Sequence, residues 1–148
     1  MKKLIYVMLF FFLISCSKEE NTFKFNFSNY IINISLKKNH QFLREYQRYL
    51  TITSTDGTKL SSIELKEDIG TGANSYLFEK ANDYILIDCD GNWYSINKKN
   101  GAINLLGNFF GKKLPDNYLG TFVIDGNKII FKKQQNLNLK DIYVFGGE

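Results

Sequence analysis

The stretch Asp88-Cys89-Asp90-Gly91-Asn92 carries the side chains closest to a recognisable chemistry. Asp88, Asp90 and Asn92 set oxygen donors at alternate positions, as the first half of a calcium-binding loop does. Such a loop then needs glycine at its sixth position and glutamate at its twelfth, and this chain has Trp93 and Lys99 there. An Asp-Gly hairpin accounts for the same residues without an ion, so no metal and no cofactor is assigned. A second cluster, Glu64, Glu67 and Asp68, precedes Gly70-Thr71-Gly72. Two carboxylates held at the right separation can perform acid/base chemistry on a glycosidic bond, but nearness in sequence does not set that separation. The glycine run lacks the Gly-Lys-Ser/Thr of a phosphate loop, and no helical pattern follows it. His40 is the only histidine, which removes most routes to nucleophilic catalysis, and no Gly-x-Ser-x-Gly elbow is present. No catalytic residue is assigned; His40 reads as a surface or loop-packing residue.

Aromatic side chains offer a different chemistry, that of binding. Trp93 and Tyr94 directly follow the turn at Asp90-Gly91. Successive strand residues face opposite sides, so one of the two points outward, where an aromatic ring can stack on a sugar or fill a partner's pocket. Trp93 and Tyr94 are therefore the candidate ligand contacts. The favoured orientation turns Trp93 inward as a core anchor and leaves Tyr94 facing solvent.

The start of the chain carries an address. Lys2 and Lys3 come first, Leu4 to Ile14 is uncharged, and Ser15-Cys16 closes the run. A positive n-region, an apolar h-region and a small-residue processing site make a secretory signal. The run is about half the ~20 apolar residues that a membrane-spanning helix needs. Leu13-Ile14-Ser15-Cys16 resembles the lipobox of bacterial lipoproteins. That resemblance implies cleavage before Cys16, acylation of Cys16 and anchoring of the mature protein by lipid alone. Ser17-Lys18-Glu19-Glu20-Asn21 is a polar tether by composition, and it is similar to export signals of some Gram-negative surface lipoproteins. Ser17, in place of an aspartate, implies an outer-membrane destination by the family's sorting logic. The expected organisation is a signal peptide over 1–15, a tether over 16–22 and one domain over 23–148.

With Cys16 consumed by lipid, Cys89 stands alone and no internal disulfide can form. Ile85, Ile87 and Cys89 alternate onto one face of an expected strand, which makes Cys89 a small buried apolar side chain. The net charge of +4 falls to +2 when Lys2 and Lys3 leave with the signal, which gives no electrostatic case for nucleic acid.

Positioning these groups falls to strands. Phe23, Phe25 and Phe27 alternate with polar residues, Ser28-Asn29 reads as a turn, and Tyr30–Leu36 as the returning strand. His40–Arg48 reads as a loop or a single helical turn. Asp56-Gly57, Asp90-Gly91, Asn100-Gly101 and Asp125-Gly126 each separate two apolar runs: Tyr49–Thr53 from Lys59–Leu65, Tyr84–Cys89 from Asn92–Ile96, that run from Ala102–Leu106, and Thr121–Ile124 from Lys128–Lys133. Such dipeptides signal hairpins, with type I′ turns as the expected geometry. Gly107–Tyr118 is the longest irregular stretch, and Asp141–Phe145 the last expected strand. The three Asp-Gly turns are nearly evenly spaced, but a propeller of three units falls below the usual minimum of about four blades. The expected fold is all-β: an antiparallel meander of hairpins forming a small sandwich or barrel.

Together these features favour a lipid-anchored envelope protein whose domain is a non-enzymatic binding module for a protein or glycan. The alternatives are a small carboxylate-dependent hydrolase and a lipidated inhibitor or immunity protein.

Overall fold

The computed structural model describes residues 21–26, 30–108 and 113–133. The signal segment, Cys16, Phe27, the Ser28-Asn29 turn and the expected strand at Asp141–Phe145 lie outside the described residues.

Period-2 patterning builds the first sheet. Its strands are β1 (Asn21–Asn26), β2 (Tyr30–Lys38), β3 (Tyr46–Ser54) and β4 (Lys59–Asp68), paired in chain order. In β2 and β3 every second residue is buried: Tyr30, Ile32, Ile34 and Leu36, then Tyr46, Arg48, Leu50 and Ile52. The intervening Gln47, Tyr49 and Thr51 are half-buried on the opposite face. Tyr46 and Arg48 thus belong to a strand, where the helical spacing of Phe42, Leu43, Tyr46 and Tyr49 had left a loop or turn. Pairing of Tyr46–Ser54 along β2 decides between the two periods. Asn21 and Thr22, read as tether, already pair with Leu36 and Ser35.

The second sheet holds β5 (Ser75–Glu79), β6 (Asp83–Asp88), β7 (Asn92–Asn97), β8 (Ile103–Asn108), β9 (Asn117–Asp125) and β10 (Lys128–Lys132), in the order β10-β9-β5-β6-β7-β8. Here the meander fails. After β8 the chain crosses the sheet and β9 pairs antiparallel with β5 on the far side; β8 and β9 therefore run in the same direction, joined by a crossover over the sheet face. β5, whose Tyr76-Leu77-Phe78 is buried on both faces, thus lies inside the sheet between β9 and β6.

The hairpins stand where the dipeptides place them, but the turn type differs. Among the described residues none other than glycine has positive φ, which excludes type I′ turns at these hairpins. At Asp88–Gly91 the Gly91 amide donates to the Asp88 carbonyl at 2.9 Å, a type I turn with the glycine following it in the left-handed region. At the last hairpin Asp125 pairs with Lys128, so the loop is Gly126-Asn127, one residue later than expected, with the positive φ at its first position.

The two sheets pack face to face as a sandwich that is not closed into a barrel. The inner layer joins Ile32, Ile34, Leu50, Ile52 and Leu65 to Leu77, Leu86, Tyr94, Ile96 and Phe122. Along one side, Phe23 and Phe25 of β1 meet Phe122 and Phe131, with ring centroids 5.0 to 5.9 Å apart. At the opposite side the Ser61 hydroxyl donates to the Gly101 carbonyl at 2.6 Å, tying β4 to the β7–β8 turn. The evenly spaced Asp-Gly turns are not repeat units: the first joins two strands of one sheet, the other two join strands of the second.

The second sheet is apolar on its outer face as well. Tyr76, Phe78, Ile85 and Ile87 form a second buried cluster, against which Trp93, Leu114 and Tyr118 pack. Leu114 belongs to the long connection from β8 to β9, which returns over this face.

Candidate functional site

Strand parity assigns the two candidate ligand contacts. Leu86 pairs with Tyr94 and Ile87 with Trp93, and paired residues share a face. Leu86 belongs to the inter-sheet core, so Tyr94 does too, and it is buried. Ile87 belongs to the outer cluster, so Trp93 stands on the outer face, half-buried. The favoured orientation is thereby reversed. Hydrophobicity alone could not choose, because both faces of this sheet are apolar.

Trp93 lines a groove of about 320 Å³ on that face. Ile85 and Trp93 supply the apolar side, Leu106 of β8 and the Leu114-Pro115 pair of the crossing connection close over it, and charged groups flank it. At the β5 end the Glu79 carboxylate is fully engaged: one oxygen accepts from Lys98 Nζ at 2.8 Å and the other from Asn117 Nδ2 at 3.0 Å. Lys98 also sits 4.7 Å above the Tyr84 ring. Burial and the nearby Glu79 charge push the Tyr84 hydroxyl above its ordinary pKa. Across the groove, Lys113 and Asp116 form an exposed ion pair at 3.3 Å. Neither carboxylate is a free group desolvated against an apolar wall, the arrangement that tunes a carboxyl for acid catalysis. What the groove offers is apolar and aromatic surface beside charged groups.

Behind this sheet lies the most polar feature of the interior. Arg48 of β3 is fully buried, and its Nη1 donates to Asp88 Oδ1 at 2.8 Å and to the Lys66 carbonyl at 3.2 Å. Arg48 Nη2 donates to the Ser75 hydroxyl, which in turn donates to Asp88 Oδ1 at 2.7 Å. The Lys66 amide donates to Asp88 Oδ2 at 2.9 Å. The network joins β3 and β4 to β5 and β6, so it ties one sheet to the other. Arg48 Nε has no hydrogen-bond partner among the described residues.

The oxygens of the calcium-like pattern are engaged within the protein. Both Asp88 oxygens are taken by Arg48, Ser75 and the Lys66 amide. Those of Asp90 accept from the Asn92 amide at 3.0 Å and Asn92 Nδ2 at 2.7 Å. No cluster of three metal-ligating side chains exists among the described residues. Asp68 is likewise structural: buried, it accepts from the amides of Gly70 at 3.2 Å, Gly72 at 2.8 Å and Ala73 at 3.3 Å, and so shapes the β4–β5 loop. Glu64 and Glu67 are exposed on β4. His40 is exposed, and its Nδ1 accepts from the amides of Phe42 and Leu43, each at 3.3 Å.

Cys89 departs from expectation. β6 ends at Asp88, so Cys89 does not extend the face of Ile85 and Ile87; it is half-buried in the turn, its sulfur 3.8 Å from Arg48 Nη1. Burial, reinforced by the Asp88 charge and opposed by Arg48, pushes the thiol from its ordinary 9.0 up to about 12. Only the thiolate is nucleophilic. At pH 8 the native thiol should therefore alkylate with iodoacetamide about a thousandfold more slowly than in the unfolded chain. The same shift withdraws stability as pH rises from about 9 toward 12, because the unfolded chain loses its proton first.

Comparison with family models, curated proteins and solved structures returns no match.

Proposed function

We propose that the chain is a lipid-anchored protein of the outer membrane whose β domain is a non-enzymatic binding module, with the groove beside Trp93 as its ligand site. One observation carries the binding half of this reading. The outer face of the second sheet holds a groove of mixed lining, with an aromatic and aliphatic wall and charged groups on either side. Pockets that bind small ligands combine an apolar lining with a few placed polar groups. A protein loop or a glycan segment matches that lining. The anchoring half rests on Lys2-Lys3, the uncharged run and Leu13-Ile14-Ser15-Cys16.

Trp93 is the single tryptophan, so its fluorescence reports on the groove directly. Titration with a panel of soluble envelope and host oligosaccharides should give a saturable change for at least one member. Trp93→Tyr should keep part of that affinity and Trp93→Ala should lose about tenfold or more, measured by calorimetry. A panel member cleaved by the protein would overturn the non-enzymatic reading. The anchor has its own readout: wild-type protein should enter the detergent phase on phase partitioning and Cys16→Ser should remain in the aqueous phase.

A further inference from the structure

Three large apolar side chains stand out at one end of the sandwich: Phe42, 83% exposed, Leu43, 50%, and Ile69, 63%. The first two belong to the β2–β3 loop, the third to the β4–β5 loop. Tyr46 and Asp68, which pair across β3 and β4, place the two loops side by side. The loops are held in shape. Lys38 Nζ donates to the Gln41 carbonyl at 2.9 Å, His40 receives two loop amides, and Arg44 Nη2 donates to the Gly126 carbonyl at 2.9 Å. Phe42 and Leu43 are thus presented by a loop built from within.

The same end is where the chain enters the fold. β1 begins at Asn21, which pairs with Leu36, and β2 then runs on to Lys38 before the loop begins. The loop tip therefore projects beyond Asn21 by at least two strand residues, about 7 Å. Between Asn21 and Cys16 the chain can span at most about 18 Å. With the strands upright on the bilayer, the tip stands within about 11 Å of the lipid-bearing cysteine. Charge alone would not choose this end. Lys37, Lys38 and Arg44 flank the tip, but Lys59, Lys80 and Lys99 are exposed at the opposite end. The attachment point chooses it.

We infer that Phe42, Leu43 and Ile69 form a membrane-docking tip that inserts into the interface of the bilayer to which Cys16 is anchored. This rests on the lipid-anchor reading above. Docking would hold the sandwich upright, with the groove beside Trp93 opening sideways along the membrane. Apolar tips flanked by basic side chains suit the interface, where rings settle among headgroups and cations meet anionic lipid.

The test uses the full lipidated protein in vesicles of phosphatidylethanolamine and phosphatidylglycerol. An environment-sensitive fluorophore is attached through Phe42→Cys, or through Thr55→Cys at the opposite end as control; the native Cys89 thiol is too little ionised to compete. Flotation with the vesicles reports the anchor, and quenching reports the tip. The fluorophore at position 42 should be blue-shifted, quenched at least twofold by lipids brominated on their acyl chains, and shielded from iodide. The fluorophore at position 55 should show the reverse. Protein that floats while position 42 stays open to iodide overturns the docking tip and leaves the anchor standing. Protein that does not float overturns the anchor and the tip with it.

Discussion

Arg48→Met should lower the unfolding free energy by about 3–5 kcal/mol, read from urea melts, because it strands the Asp88 carboxylate in the interior. Asp88 is as fully buried as its partner. Without Arg48 it retains, among the described residues, the Ser75 hydroxyl and the Lys66 amide. Asp88→Leu should cost a similar amount by stranding the guanidinium, whose Nε already lacks a partner among the described residues. The pair Arg48→Met/Asp88→Leu should recover most of the loss, since a buried ion pair gains little over well-packed apolar groups of similar volume. Recovery stops short of wild type because the Lys66 amide is left without its acceptor, at about 1–3 kcal/mol. If the double variant were as unstable as the sum of the singles, the network would not be acting as one unit.

Phe122→Ala should cost about 3–5 kcal/mol, the range for emptying the site of a buried aromatic. Phe122 is fully buried and its ring meets Phe23 at 5.7 Å and Phe131 at 4.7 Å, so it joins the second sheet to β1. Phe25→Ala, at a half-buried ring that meets Phe131 at 5.0 Å, should cost about half as much. Both variants belong in the same thermal and urea series. Losses below about 1 kcal/mol in both variants would show that the two sheets do not depend on this aromatic seam.

The all-β fold, the hairpins and the burial of β2 were legible because period-2 alternation and Asp-Gly or Asn-Gly turns are local signals. β5 was not. Ser75-Tyr76-Leu77-Phe78 has no polar/apolar alternation, since it is buried on both faces, and its turn into β6 runs through Lys80–Asp83 without a glycine. With β5 unseen, the return of β9 across the sheet could not be read either. The same two-sided burial hid the groove. Trp93 was picked as a candidate ligand contact, but its face depends on register with Ile87, and register is a property of strand pairs. Glu79, Leu106 and Leu114 carried no motif, and only the fold brings them beside Trp93. Arg48 could not be picked from the sequence as the inter-sheet cation, because its partners Ser75 and Asp88 lie 27 and 40 residues away.

The order of the strands has a consequence for biosynthesis. Among the described residues the first sheet ends at Asp68 and the second begins at Ser75, so the two layers follow one another along the chain, linked by the loop that Asp68 organises. A chain threaded N-terminus first across a membrane releases the whole first layer, with Ile32, Ile34, Leu50 and Ile52 on a bare face, before its cover exists. Arg48 waits uncovered through the same interval, and Asp88 reaches it only after β5 and β6 have emerged. The inter-sheet ion pair is thus a contact that only the second sheet can supply.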